Sequence, residues 1–306
     1  MKLSRRQFNK ATLAAGAGLA LGTGAAHAGP EHLIRKAIPS SGEKIPVIGL
    51  GTNRYGVGAG EDERAPLRAA LARFQELGGT VIDTAPMYRS SESVLGDLMQ
   101  ALDITDDMFI ATKTDLENAG DATNGQMSES SEKLGTADFD LMQVHNLRGW
   151  QEALPVLREW KQEGRIRYIG ITTSNESQYG DFEKVMRAEE LDFIQVNYSL
   201  EQQVAAERLL PLAADRGMAV IINRGFGGGR IFERVGNEAL PDWAQAFDCH
   251  SWAQFLLKYA ISHPAATVAI PGMTKVRHVE DNMMAAHGRL PDAAERKRME
   301  DFYASL

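Results

Sequence analysis

The chain has 306 residues, 43% hydrophobic and 24% charged, with a formal net charge of −8. That is an ordinary globular composition, long enough for two average domains or for one α/β barrel of roughly 250 residues. The acidic balance argues against a nucleic-acid surface or an anionic-membrane surface, and the single cysteine, Cys249, excludes an intramolecular disulfide.

Residues 1–28 read as an address outside the fold. Lys2, Arg5, Arg6 and Lys10 are basic and no acid accompanies them. Ala11 to Leu21 is mildly apolar but too short and glycine-rich to span a bilayer comfortably, and Ala26-His27-Ala28 has small residues where a signal peptidase reads. Arg5-Arg6 followed by Phe8 and Lys10 resembles a twin-arginine export signal, with Asn9 where leucine is usual. The expectation is a signal peptide over 1–28 that engages the twin-arginine machinery of a bacterium. A periplasmic mature chain, 29–306, would then form one barrel domain with no membrane anchor.

Leu33 to Ile45 comes next, with a Ser40-Ser41-Gly42-Glu43 turn, and reads as a hairpin that could plug the bottom of a barrel. From about residue 44 short apolar runs alternate with longer amphipathic stretches. The runs are Val47 to Gly51, Thr80 to Asp83, Met108 to Lys113, Phe139 to His145, Arg167 to Ile171, Phe193 to Asn197, Ala219 to Asn223 and Thr267 to Ile270. Between them lie helical stripes such as Leu67, Ala70, Leu71, Phe74 and Trp252, Phe255, Leu256, Tyr259, each stopped by Gly or Pro. Eight strand–helix units in this length predict parallel pairing by right-handed crossovers and a closed (β/α)8 TIM barrel. A last helix runs from about Asp292 to Tyr303.

The strand ends carry the chemistry. In such a barrel all C-terminal strand ends share one face. The second run ends at Asp83, the third at Lys113 and the fourth at His145, and Tyr88 lies just beyond the second. An ionisable residue closing an apolar strand is unexpected on packing grounds, and here three consecutive strands do so. Together the four make sense as acid–base machinery. A phenol has a pKa near 10, and a lysine ammonium beside it favours the phenolate and makes Tyr88 a better proton donor. Asp83 balances the lysine, and a neutral His145 hydrogen-bonds a substrate oxygen. Such a set stabilises an alkoxide forming on a carbonyl oxygen. It contains no activated serine or cysteine, so acyl transfer is not indicated. A metal-hydrolase barrel would need more His and Asp ligands than the strand ends supply. What is missing is an electron source, which points to a hydride-carrying cofactor.

Ile82-Asp83-Thr84-Ala85-Pro86-Met87-Tyr88 with Ser91 to Gly96, together with Gly49-Leu50-Gly51-Thr52, Ala111-Thr112-Lys113, Asp140 to Asn146 and Gly164 to Gly170, resembles the aldo-keto reductase family from about Ile45 to Ala286. The resemblance implies a catalytic tetrad of Asp83, Tyr88, Lys113 and His145 with Tyr88 as proton donor, and NAD(P)H-dependent interconversion of a small carbonyl compound and an alcohol. It implies that Thr52 and Asn53 border a nicotinamide dinucleotide and that Ser174, Asn175 and Gln195 hold its carboxamide end. Asn223, Arg224 and Phe226, in the glycine-rich stretch to Gly229, would follow the pyrophosphate. Gly272, Met273, Thr274, Lys275, His278 and Asn282 would take the adenosine half, NADP(H) being favoured over NAD(H). Asn223 stands where many members have a stacking tyrosine, so Phe226 is the substitute. Gly272 and His278 stand where many hold a 2′-phosphate with Lys and Arg, leaving Lys275 and Arg277 to compensate. Arg89 replaces a common glycine. The loops Asn53 to Glu61, Asp115 to Gln126 and Arg230 to Cys249 carry no legible substrate code. The alternative function is a nucleotide-binding barrel that acts as a sensor or partner subunit with little turnover.

Overall fold

The computed structural model describes residues 33–306. The expected signal peptide over 1–28 lies outside the described residues. The hairpin comes first, β1 (Arg35–Ala37) pairing antiparallel with β2 (Lys44–Pro46). Eight parallel strands follow: β3 (Leu50–Gly51), β4 (Val81–Asp83), β5 (Phe109–Thr114), β6 (Phe139–His145), β7 (Ile166–Thr172), β8 (Phe193–Asn197), β9 (Ala219–Asn223) and β10 (Val268–Ala269). Each pairs with the next in sequence. Crossover helices join them: α1 (Glu61–Glu76), α2 (Ser91–Ala101), α3 (Gly120–Leu134), α4 (Trp150–Gln162), α5 (Tyr179–Ala188) and α6 (Ala205–Asp215), with α7 (Arg230–Val235) and α8 (Trp252–Ser262) sharing the longer passage from β9 to β10. The chain ends in α9 (Val276–Met284) and α10 (Ala293–Ser305).

The ring closes on itself. Ile48 bridges Ala269 and Gly51 bridges Gly272, both in parallel, and Gly49 N–H donates to Ala269 O at 2.8 Å while Ala269 N–H donates to Val47 O at 2.9 Å. A Cβ on Gly51 would stand 2.6 Å from Ile270 O, so the seam requires a glycine there. The fold is thus the (β/α)8 barrel that the alternation predicts. The strands are buried on both faces, as parallel strands under helices must be, and β5 and β8 are buried along their whole length.

The hairpin closes the bottom. Ile38 and Ile45 are fully buried in a cluster with Val81, Phe109, Leu141, Tyr168, Phe193, Ile221 and Val268. The Ser41 hydroxyl and Glu43 carboxylate take up the Tyr168 hydroxyl at 2.7 and 2.9 Å. Apolar plugging below leaves the strands' C-terminal ends as the open face. Asp292 starts α10 with a reciprocal cap: Glu295 N–H donates to Asp292 Oδ1 and Asp292 N–H to Glu295 Oε2, both at 2.9 Å. Cys249 is buried, and burial pushes its thiol up to about 12, the chemistry of an inert core residue. No helix among the described residues is long and apolar enough to cross a membrane.

The ring of helices is tight where α2 meets α3. A Cβ on Gly96 would lie 2.0 Å from Lys133 O, whereas one on Gly180 in α5 would meet nothing within 4 Å. Gly96→Ala is therefore expected to cost about 1–3 kcal/mol by overpacking, and Gly180→Ala less than about 0.5 kcal/mol. Urea midpoints measure both, and an unchanged midpoint for Gly96→Ala would refute this helix contact.

Candidate active site

The sheet register carries three charged groups to one rim. Asp83 ends β4 opposite Ala111, Lys113 in β5 pairs with Gln143, and His145 ends β6 opposite Thr172. Asp83 and Lys113 are each only 1% exposed. Lys113 Nζ donates to both oxygens of Asp83 at 2.9 Å and to Thr84 O at 2.6 Å, which uses all three ammonium protons. Gln143 Nε2 stands 3.5 Å from Asp83 Oδ1 and donates to Gln195 Oε1 at 2.9 Å, tying the pair to β8. Thr52 holds the Asp83 carbonyl with its amide at 3.1 Å and its hydroxyl at 2.8 Å.

Tyr88 sits over this pair. The turn after β4 is set by Tyr88 N–H donating to Ala85 O and Ser91 N–H donating to Tyr88 O, both at 3.1 Å. A Cβ on Gly56 would lie 2.5 Å from Tyr88 O, so the bareness of Gly56 lets the loop after β3 support the tyrosine. The Tyr88 ring centroid is 5.0 Å from Lys113 Nζ and 6.3 Å from the His145 ring, edge-on. The four residues expected to act together are therefore together, with Asp83, Tyr88 and His145 lining the cleft and Lys113 buried beneath it.

Burial governs their proton affinities. It pushes the Tyr88 phenol up, and Lys113, pulling down, does not outweigh it, with Asp83 adding to the rise. The expectation that Lys113 leaves Tyr88 more acidic than a free phenol is thus corrected: the net direction is upward and Tyr88 is a neutral phenol. Burial works against the Lys113 ammonium as well, yet Asp83 and Tyr88 overcome it and its pKa stands above the ordinary lysine value. His145 is lowered, first by burial and then by Lys113, with Asp115 opposing, so the imidazole is neutral at neutral pH.

A cleft of about 720 Å³ runs from this group across the top of the barrel, within the range of ligand sites. Of the residues expected at a cofactor, Thr52, Asn53, Ser174, Gln195, Asn223, Arg224, Phe226, Gly272, Thr274, His278 and Asn282 line it. Three do not. Asn175 spends its side chain on the following turn, accepting from Ser177 N–H at 3.1 Å. Met273 is fully buried, its carbonyl accepting from the Tyr55 hydroxyl at 2.9 Å. Lys275 caps α9 through its backbone, and its side chain is not among the lining groups. Phe226 packs against Phe232, ring centroids 5.2 Å apart, on the cleft wall.

Several residues that matter here escape sequence reasoning. Asp115 Oδ2 is 2.9 Å from His145 Nδ1, and Gln143 and Gly56 support the pair and the tyrosine as described. The only available signal for Asp115 was a carboxylate two positions past Lys113, indistinguishable from a loop residue. Asn197 is a second case: its Nδ2 donates to Ser174 O at 3.0 Å while its Oδ1 is buried without a partner.

The cleft suits an amide-bearing, anionic nucleotide. The Oδ1 atom of Asn223, on the cleft wall, lacks a partner and can accept from a ligand amide. Gly227, Gly228 and Gly229 hold φ of 56°, 71° and 100°, a conformation that favours glycine; Gly227 N–H donates to Arg224 O at 2.7 Å and Gly229 N–H to Phe226 O at 2.8 Å, and the turn they fix brings Gly228, Gly229 and Arg224 to the cleft wall.

Comparison with known proteins agrees with this geometry. The chain is 31% identical over 202 residues to the aldo-keto reductase YhdN of Bacillus subtilis, covering 61% of this chain and 60% of that one. It is 28% identical over 267 residues to the methylglyoxal reductase YeaE of Escherichia coli, covering 85% and 92%. The structure of an aldo-keto reductase from Klebsiella pneumoniae in complex with NADPH superposes with a TM-score of 0.69 at 25% identity, covering 89% and 96%. The family model described as "Aldo/keto reductase family" matches residues 47–303, a span that takes in the barrel and every group of the rim, and the chain belongs to that family.

Proposed function

We propose that the protein is an NAD(P)H-dependent oxidoreductase that reduces a small aldehyde or ketone to an alcohol, or runs the reverse, with Tyr88 as proton donor. The observation that carries this reading is the fully buried Lys113–Asp83 pair set directly under a cleft-facing phenol. That one relative is a methylglyoxal reductase and a related structure holds NADPH supports it. Ser174, Gln195 and Asn223 would hold the carboxamide end of the dinucleotide, Arg224 and the Gly225–Gly229 stretch its phosphates, and Gly272, Thr274, His278 and Asn282 its adenosine half. When bound, the dinucleotide supplies or takes the hydride at the substrate carbon. Tyr88 Oη gives its proton to the substrate oxygen as negative charge develops there. Lys113 faces the phenolate left behind and stabilises it, and Asp83 keeps Lys113 charged and in place. His145 hydrogen-bonds the same ligand and fixes its position.

NADP(H) is the better fit than NAD(H). Besides burial, Arg277 and Lys275 lower His278 at the N-terminal end of α9, which marks a locally positive field in an acidic protein. Cations at a helix N-terminus suit a 2′-phosphate. The N-terminal segment is read as a twin-arginine signal, which makes the mature enzyme periplasmic and delivers it already folded.

Three outcomes follow. Tyr88→Phe is expected to lower kcat about 10²–10⁴-fold on an aldehyde panel while cofactor affinity, measured by fluorescence quenching, stays within about two-fold. Binding without turnover in both wild type and variant would instead favour a nucleotide sensor. NADPH should bind about ten-fold tighter than NADH, and Arg277→Ala should remove most of that difference; equal affinities in the wild type would refute the NADP preference. Changing both Arg5 and Arg6 to Lys should strand the protein in the cytoplasm on fractionation, and continued export would sink the twin-arginine assignment.

A further inference from the structure

Most arginines of this chain are engaged by the fold. Arg64 meets Asp97, Arg167 meets Asp140, Arg289 meets Glu295, and Arg234 lies over the Tyr303 ring. Arg54, Arg89, Arg224 and Arg230 differ: none has a hydrogen bond, ion pair or ring contact with a described residue. All four are exposed, and all four follow a strand on the open face of the barrel, Arg54 after β3, Arg89 after β4, and Arg224 and Arg230 after β9. Arg54 and Arg224 line the cleft itself. In a chain of net charge −8, unbalanced cations gathered around one opening make a field that draws anions.

The backbone at Arg89 sharpens the point. Its φ is 57°, in the left-handed region that glycine occupies without strain and that a longer residue must be held in. The holding comes from the turn around Tyr88, where the Ser90 hydroxyl donates to Val57 O at 2.8 Å. The loop after β3 leans on the same turn, since a Cβ on Gly56 would stand 3.0 Å from the Arg89 Cβ. Arg54 and Arg89 thus leave two touching loops beside the proton donor. Neither guanidinium returns a contact to the fold, so local stability does not account for an arginine at a strained position.

The dinucleotide does not account for this pair either. Its anions are the diphosphate and, in NADP(H), the 2′-phosphate. Arg224 with the glycine stretch suits the first, and the start of α9 suits the second. The nicotinamide end carries no anion, and its oxidised ring is cationic. Arg54 and Arg89 stand at the Tyr88 end, where the substrate meets that ring. Met87, just before Tyr88, adds apolar surface there and is 55% exposed. Resting on the reading of this cleft as a carbonyl-reduction site, we infer that its substrate is a carbonyl compound with an apolar body and a carboxylate group, which Arg54 and Arg89 hold at the mouth of the cleft while the carbonyl oxygen meets Tyr88. A guanidinium fork matches a carboxylate with two parallel hydrogen bonds. The carboxylate takes no part in hydride transfer and is held alike before and during the reaction, so the pair acts on KM and not on kcat.

The test uses the mature protein saturated with oxidised cofactor, which cannot reduce a ketone, and reads binding by calorimetry. The 3- and 4-acetylbenzoates are compared with the matching acetylbenzamides, which keep the ring and the ketone but lack the charge. At low salt the better acid should bind about ten-fold tighter than its amide, and high salt should remove most of that difference. With Arg54→Gln and Arg89→Gln combined, the acid should fall to within about two-fold of the amide, while dinucleotide affinity stays within about two-fold of the wild type. Equal affinities for acid and amide in the wild type, or a preference that survives in the double variant, overturn the inference. A parallel loss of dinucleotide affinity overturns it too, because the arginines then serve the cofactor phosphates. The wild-type comparison and its salt dependence decide the point even if the double variant does not fold. Failure of the dinucleotide to bind at all sinks the reading of the cleft, a separate result from acid and amide binding alike beside a bound dinucleotide.

Discussion

The ion pair between Lys113 and Asp83 is the constraint on which the rim depends. Both side chains are removed from water, and desolvating each charge costs several kcal/mol before any attraction is counted. Such a pair persists only when the remaining hydrogen-bonding capacity is used. Here the ammonium meets two carboxylate oxygens and the Thr84 carbonyl, while Gln143 approaches the carboxylate from the far side. Removing one partner of a buried pair typically costs about 3–5 kcal/mol, because the survivor is left charged and alone. Adjacent parallel strands in register are what make that geometry reproducible. Asp83 and Lys113 lie on strands joined by the ladder from Val81–Phe109 to Asp83–Ala111, so their separation is set by backbone hydrogen bonds and not by loop conformation.

The same logic explains what could be read from the sequence. The eight apolar runs were legible because buried parallel strands need unbroken hydrophobicity, and the ionisable residues closing three of them stood out against it. The boundaries were less legible where pairing depends on glycine. The first run was expected over Val47 to Gly51, but regular pairing covers only Leu50 and Gly51, with Ile48 joined by a single bridge to Ala269 in the last strand. That seam admits Gly51 because a side chain would collide with Ile270 O, a fact about a partner more than two hundred residues away. The hairpin plug was legible from its turn, and Ile45 at its end lies in the lower core with Ile38.

What was not legible is the support around the reactive groups. Asp115 lies in a loop and is polar, as most loop residues are, and nothing local says that its carboxylate grips His145. Asn175, Met273 and Lys275 are the converse case, expected at the cofactor but absent from the cleft lining. Each occupies a stretch that does reach the cleft, but the side chain is diverted: to a turn amide, into the core, or away from the lining. Neighbours of all three line the cleft, while side-chain direction within a loop depends on φ and ψ that propensity does not specify. The Lys113 effect on Tyr88 was misjudged for a related reason. Its sign was right, but the depth of burial that outweighs it is a property of the folded loop after β4 and of Gly56 beneath it.

That depth of burial divides the site into two levels. Below, the charges of Lys113 and Asp83 cancel over a bidentate contact. Above, burial holds both cleft-facing groups neutral, raising the Tyr88 phenol and lowering the His145 imidazole. A ligand entering therefore meets one phenolic donor and one ring nitrogen, beside a carboxylate whose charge Lys113 already balances. The ammonium is within reach of the phenol but spent on its carboxylate in the resting state. Its leverage grows as negative charge forms on the phenol oxygen, since an interaction with a developing charge in a dry site is stronger than the same interaction in water. An arrangement of this kind does little for the resting ligand and more for the charge-separated state. In this protein the buried pair serves that end, and a charge closer to the cleft would bind the ground state equally well.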